Sequence, residues 1–312
     1  MDISLFKSYR DRIVENCGKI ILGKDEAIEK LLICFLCSGH ILIEDVPGTG
    51  KTMLLRAFAR SIGGEFKRVQ FTPDLLPSDL TGINFYNNKT GDFEFRKGPL
   101  FAQVILADEI NRATPRTQSS LLEAMEERQI TVDGTTYKMA EPFIVMATQN
   151  PLESYGTFPL PDAQIDRFFM RLSLGYMDRK DELVVISRRP AASLVSELAP
   201  VVTDEETKAL KEQRSSITVS EDVAGYIMDI IWATRSGRTA RGASARGGIA
   251  LWQAAQVRAA FSGRDYVIPE DVRDMAPAVL AHRIGSGTTS KADEERLIGD
   301  LVAEIKAPLE EV

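Results

Sequence analysis

The sequence predicts an α/β protein: a mostly parallel sheet flanked by helices, followed by a smaller all-helical region. Three observations predict it. A short apolar strand runs into a Gly-rich loop and then a helix, over residues 40–62. Further apolar runs of four or five residues recur downstream, with the composition of strands buried on both faces. After about residue 178 such runs give way to long helical patterns.

The elements follow in order. Ile28, Leu31, Leu32 and Phe35 within residues 24–39 have the spacing of one helix face. His40 to Glu44 reads as a strand, and Lys51 to Ile62 as the helix after the loop. Val104 to Ala107 and Phe143 to Ala147 read as buried strands, and Phe168 to Leu174 as the strand that closes the sheet. Two hairpins sit between them. Residues 83–95 alternate around an Asn/Gly-rich turn, and residues 128–137 alternate around Asp133-Gly134. Each reads either as a surface hairpin or as an insertion that touches a substrate or a neighbouring subunit. Beyond them, Thr203 with Glu206 has the form of a capping box, Ser220 opens a helix, and Pro269 lies in the first turn of another. The division is therefore 1–178 for the α/β domain, 179–200 for a linker containing Arg188-Arg189-Pro190, and 201–312 for the helical domain.

The totals exclude several classes. With 312 residues, 44% of them apolar, the chain has ample material for a core. A net charge of −7 gives no global attraction to nucleic acid or to an anionic membrane. Three cysteines do not make a disulfide framework, so a reducing cytoplasm is expected. No signal peptide is expected from the opening residues, and no apolar stretch is long enough for a transmembrane segment. Cys34 and Cys37 form a C-x-x-C, but within an apolar helix and without a second Cys/His pair, so buried thiols are expected. His40 and His282 are expected to be structural.

The chemistry concentrates in two places. Asp45-Val46-Pro47-Gly48-Thr49-Gly50-Lys51-Thr52-Met53 joins the first strand to its helix. Gly48 and Gly50 let successive N–H groups turn toward one anion, and the helix presents its positive end to the same point. Lys51 is placed to reach the β- and γ-phosphates, and the Thr52 hydroxyl to ligate Mg²⁺. The general pattern has Gly where this chain has Asp45, a residue expected at the strand end rather than in the cradle. The second place is Val104 to Glu109, an apolar strand ending in two carboxylates. Strand ends on the carboxyl edge of a parallel sheet are where ligands bind. Asp108 is expected to hold Mg²⁺ through water, and Glu109 to polarise the water that attacks the γ-phosphate. Asn88-Lys89-Thr90-Gly91 lacks the Asp of a guanine-reading motif, so ATP is preferred over GTP.

These blocks, with DEINRATPRTQSSLLEAMEERQITVDG, ATQNP, FPLPDAQIDRF and GASARGG in order, resemble the MoxR family of AAA+ ATPases from about residue 20 to about residue 285. The resemblance implies a P-loop domain with a five-stranded parallel sheet and a helical lid. It places Asn150 at the sensor-1 position, where a neutral amide orients the attacking water. It makes Arg167 the finger inserted into a neighbour's site, with Arg171 as the alternative, and Arg246 the sensor-2 arginine contacting the γ-phosphate in its own chain. The usual pattern has Pro where this chain has Ala245. The two hairpins match the helix-2 insert and the one preceding sensor 1, with Tyr86, Phe93 and Phe95 as candidates for partner contact or for local packing. The family further implies an ATP-dependent, self-assembled hexameric ring. It also implies protein clients, including von Willebrand factor A domain proteins, in a chaperone-like role. A nucleic-acid motor, a chelatase-type motor subunit and a non-hydrolysing scaffold are the competing readings.

Overall fold

A computed structural model describes residues 2–45, 48–149, 156–187, 191–285 and 291–308. Two helices, α1 (Ser4–Gly18) and α2 (Asp25–Leu36), precede β1 (Ile41–Glu44), α3 (Lys51–Ser61) and β2 (Phe66–Gln70). A short α4 (Pro77–Thr81) leads into the hairpin β3 (Gly82–Asn87) and β4 (Asp92–Lys97). Next come β5 (Val104–Asp108), α5 (Pro115–Glu127), the hairpin β6 (Gln129–Val132) and β7 (Thr135–Lys138), and β8 (Ile144–Gln149). The α/β part ends with α6 (Asp162–Ile165) and β9 (Met170–Leu172). Beyond it lie α7 (Arg179–Ser187), α8 (Ala191–Ser196), α9 (Asp204–Gln213), α10 (Glu221–Ala233), α11 (Ala245–Phe261), α12 (Pro269–Ile284) and α13 (Lys291–Glu304).

The five-stranded sheet has the order β2-β5-β8-β1-β9, with every pairing parallel. Ile41, Leu42 and Ile43 are buried on both faces, as are Val104 to Ala107 and Ile144 to Ala147, which is why these strands read as unbroken apolar runs. Because the strands are parallel, their carboxyl ends share one edge. Asp45, Asp108 and Gln149 arrive there together. β2 is an edge strand in which only Val69 is buried, so its pattern carries no apolar run and the sequence reading passes over it.

α2 is apolar almost all round, with Ile28 and Leu31 to Leu36 buried between sheet and lid. Cys17, Cys34 and Cys37 are free and buried, and burial pushes the Cys37 thiol up to about 12. His40 is buried as expected: its Nδ1 accepts from Val145 N–H (3.0 Å) and its Nε2 faces the Met125 carbonyl at 3.0 Å. Those two partners require the neutral tautomer protonated at Nε2, and burial lowers its pKa to about 3.

The helical region is stitched to the rest. Tyr9 and Thr207 hydroxyls share a hydrogen bond (2.6 Å), Asn16 donates to Ser61 (3.0 Å) and to the Ala199 carbonyl (3.1 Å), and Arg12 donates to the Val201 carbonyl (2.7 Å). One apolar core runs from α1, α2 and α3 into α10, α11 and α12, and a second fills the opposite sheet face under α5. Thr203 and Glu206 form the capping box, Ser220 and Ser244 cap α10 and α11, and Pro269 starts α12. Residues 179–187 and 191–196 are helical, where the sequence pattern marks a linker.

Both hairpins form. Asp133 (φ 49°) and Gly134 (φ 79°) both take positive φ, as a two-residue turn of this hand requires. The hairpins touch: Asn84 donates to Asp133 (2.8 Å), and the Phe95 ring stacks on Tyr137 at 4.3 Å. Phe95 therefore packs locally. Tyr86 and Phe93 form an edge-to-face pair at 5.4 Å and stand exposed.

Candidate functional site

The carboxyl edge of the sheet opens into a cleft of about 370 Å³ lined by Asp45, Gly48 to Met53, Arg68, Asp108, Glu109, Thr148 and Gln149. Gly48 (φ 87°) and Gly50 (φ 90°) hold the left-handed conformation that disfavours a side chain, and the space where a Gly48 Cβ would stand is open. α3 starts at Lys51, so its unpaired N–H groups face the cleft. The Lys51 ammonium donates to the Asp45 carbonyl (3.2 Å), folding back over the loop. Val46 and Pro47 lie outside the described residues.

The Asp45 departure from the Gly pattern has a structural reason. Its carboxylate accepts from Ser173 Oγ (2.8 Å), Leu174 N–H (2.5 Å) and Gly175 N–H (3.4 Å). That charge is spent tying β1 to the segment after β9 rather than opposing an anion in the loop.

Asp108 and Glu109 meet a network from both neighbouring strands. Asp108 Oδ2 accepts from Arg68 (2.6 and 3.1 Å), and Oδ1 accepts from the Thr148 hydroxyl (2.7 Å). Thr148 Oγ1 in turn accepts from Glu109 N–H (2.8 Å). Glu109 Oε2 accepts from Gln70 Nε2 (2.8 Å) and Arg112 (3.0 Å). Glu109 itself sits at φ 57°, a left-handed conformation costing a non-Gly residue about 1 kcal/mol or more. Such strain is held only where the surroundings fix it, and here Thr148 does so. Asp108 and the Thr52 hydroxyl bring oxygen donors to one cleft, the donor class Mg²⁺ takes alongside phosphate oxygens. Among the described residues, no cluster of three or more His, Cys, Asp or Glu side chains forms a metal cage.

Asn150 lies outside the described residues; Gln149 before it lines the cleft. Arg167 and Arg246 do not enter this cleft. Both are ion-paired with Glu126 at the end of α5, Arg246 at 2.7 Å, and Arg246 also lies 3.9 Å from Asp166. Arg246 thus rests outside the cleft of its own chain, held by Glu126. α11 is fixed elsewhere, because Ser244 at its cap donates to Asp166 (2.9 Å), and so does the buried Arg283 of α12 (2.9 Å). Arg171, the alternative finger, is enclosed. It is 5% exposed within β9 and paired with Glu294 at 2.5 Å.

This chain resembles known proteins along nearly its whole length. The family profile for ATPases associated with various cellular activities matches residues 40–170, and the AAA lid domain profile matches residues 234–305. Chaperone MoxR1 of Mycobacterium tuberculosis is 38% identical, over 91% of this chain and 78% of that one. The chain belongs to the MoxR family of AAA+ ATPases. Protein MoxR of Methylorubrum extorquens is 31% identical over 96% of this MoxR-family chain and 95% of its own. Uncharacterized protein YeaC of Bacillus subtilis reaches 45% over 96% and 95%. A crystal structure of a putative ATPase from Cytophaga hutchinsonii superposes with a TM-score of 0.87 at 37% identity, covering 98% of each chain. ATPase activity and nucleotide binding with Mg²⁺ are properties of this family. No described helix is long and apolar enough to cross a membrane.

Sequence reasoning missed Arg68, Gln70 and Thr148. The first two sit on the polar edge strand β2, and Thr148 ends a strand that reads simply as buried. Their signal is positional: each lies where a strand reaches the edge that carries Asp108.

Proposed function

We propose that this MoxR-family chain hydrolyses ATP in the β1–β5 cleft and uses the cycle to remodel or mature partner protein complexes. The observation that carries the reading is the convergence of Lys51, Thr52, Asp108 and Glu109 on one cleft whose loop holds two left-handed glycines. The loop N–H groups and Lys51 bind the phosphates. Thr52 and Asp108 hold Mg²⁺, which when bound neutralises charge on the β- and γ-phosphates. Glu109 polarises the attacking water, and Asn150 orients it. Gln70 and Arg112 hold the Glu109 carboxylate until that water is in place. Arg167 and Arg246 serve the site of a neighbouring subunit. Their shared partner Glu126 supports this, because it parks both cations away from the cleft of their own chain. A hexameric ring follows from the same reading, with protein clients such as von Willebrand factor A domain proteins met by the exposed Tyr86 and Phe93 hairpin. Chaperone MoxR1, by its name, supports the client role.

The test is a mixing assay. Glu109→Gln and Arg167→Ala are each expected to bind ATP and to turn it over at least 100-fold more slowly, the scale of one lost catalytic group. Mixed together, they recover part of the turnover, because intact sites form between unlike subunits. Unchanged turnover in Glu109→Gln refutes the hydrolytic reading, and absence of any recovery refutes the shared site.

A further inference from the structure

Asp108 is already claimed by a cation of its own chain. Among the described residues, the lining of the cleft carries two cations, Lys51 and Arg68. Lys51 donates to the Asp45 carbonyl (3.2 Å), whereas Arg68 sits on the carboxylate proposed for Mg²⁺. Its Nε and Nη2 both donate to one oxygen, Asp108 Oδ2, at 3.1 and 2.6 Å. Such charge-assisted bonds are roughly twice as strong as neutral ones. The other oxygen, Oδ1, is committed to the Thr148 hydroxyl (2.7 Å), which Glu109 N–H holds in place (2.8 Å). A water on Mg²⁺ donates to an open carboxylate oxygen, and Oδ2 is the one that has to open.

Arg68 can leave Asp108 at little structural cost. β2 is an edge strand of the sheet, and the Arg68 side chain is 48% exposed where that of Asp108 is 15% exposed. Arg68 and Gln70 are two residues apart and so on one side of the strand, and Arg68 Nη2 also donates to Gln70 Oε1 (3.1 Å). A guanidinium displaced from Asp108 therefore keeps a partner on its own strand. Electrostatics set the direction of the exchange. Mg²⁺ carries twice the charge of a guanidinium in a smaller volume, so the metal prevails at the carboxylate when triphosphate oxygens complete its shell. When no metal is present, Arg68 neutralises Asp108, and an anionic triphosphate meets a paired carboxylate instead of a bare one.

We infer that Arg68 and Mg²⁺ compete for Asp108, so that Arg68 sets how strongly nucleotide binding depends on the metal. The inference rests on the ATP reading of the cleft given above and adds a residue to it. Arg68 is a positioning residue, because it acts on metal and phosphate through the charge of Asp108. A different role for the same bond, holding Asp108 in the orientation the metal needs, predicts the opposite sign: loss of Arg68 then weakens the metal-bound complex.

The experiment titrates the full chain with a fluorescent, non-hydrolysable ATP analogue, once in EDTA and once in excess Mg²⁺, and takes the ratio of the two dissociation constants. In Arg68→Gln that ratio is expected to rise about tenfold over the wild type, because metal-free binding weakens against a bare carboxylate while metal-bound binding loses a competitor. Arg68→Lys keeps a cation but not the two-bond fork, and its ratio is expected to fall between the two. In an Asp108→Asn background, the further loss of Arg68 is expected to leave the ratio unchanged within about twofold, because the effect passes through that carboxylate. A ratio unchanged or lowered in Arg68→Gln overturns the inference, as does a full rise in the Asp108→Asn background. Should Arg68→Gln lose the wild-type melting curve, Arg68→Lys is read in its place, and a ratio no higher than wild type overturns the inference there. A wild type that binds the analogue in neither condition overturns the ATP reading itself, which separates the two failures.

Discussion

Asp166 precedes the candidate finger, and its carboxylate is the joint between the α/β domain and the lid. It accepts from Ser244 (2.9 and 3.0 Å) and from Arg283 Nε (2.9 Å). The Arg283 side chain is 1% exposed, and burial lowers its pKa to about 10, so it remains charged at neutral pH. Asp166→Ala leaves that buried cation without its counter-ion. Removing one partner of a buried pair costs about 3–5 kcal/mol. Arg283 keeps the carbonyls of Phe168 (2.7 Å) and Phe169 (3.1 Å), which places the expected loss at the lower end, about 3 kcal/mol. Asp166→Asn keeps an acceptor but not the charge, and the difference between a charged and a neutral hydrogen bond sets its cost at about 1–2 kcal/mol. Urea unfolding by circular dichroism reads both, with the slope of the transition unchanged. A loss below about 1 kcal/mol for the Ala variant, or equal losses for both, refutes the argument that the charge pair fixes the lid.

Two more predictions concern stability. Asp45→Gly, which restores the commoner residue of such loops, strands the buried Leu174 N–H and lowers stability by about 2 kcal/mol while ATP affinity stays within a few-fold; an affinity loss above tenfold in a titration contradicts the outward role of Asp45. His40 and His282 are held neutral by burial, His40 down to about 3, so below pH 6.5 the unfolded chain takes up protons that the folded one refuses. Stability is complete above that value and falls toward pH 3. At pH 5.5 the two histidines together remove about 3 kcal/mol relative to pH 7.5, and an unchanged urea midpoint between those values contradicts the buried-neutral assignment.

The legible parts of the fold were those where a single physical requirement dominates. Strands β1, β5 and β8 are buried on both faces and read as apolar runs; the caps Thr203 and Ser220 and the first-turn Pro269 read from local chemistry. The phosphate loop and Asp108-Glu109 read because they join such strands to turns. β2 was illegible because it lies at an exposed edge and buries only Val69, yet Arg68 and Gln70 on it complete the acidic network. The placement of Arg246 was equally hidden. It depends on Asp166 capturing Ser244 and Arg283 across 78 and 117 residues of sequence, a contact no local pattern encodes. α7 within the supposed linker was missed because its apolar run, Leu183 to Ile186, is only four residues long and is flanked by charge on both sides.

The most direct measurement is a crystal structure with Mg²⁺ and a non-hydrolysable ATP analogue. The γ-phosphate is expected within hydrogen-bonding distance of the Lys51 ammonium, with the metal on Thr52 Oγ1 and a water between Glu109 and the phosphorus. A nucleotide bound elsewhere, or Asp108 and Glu109 turned from it while the analogue fills the loop, contradicts the account.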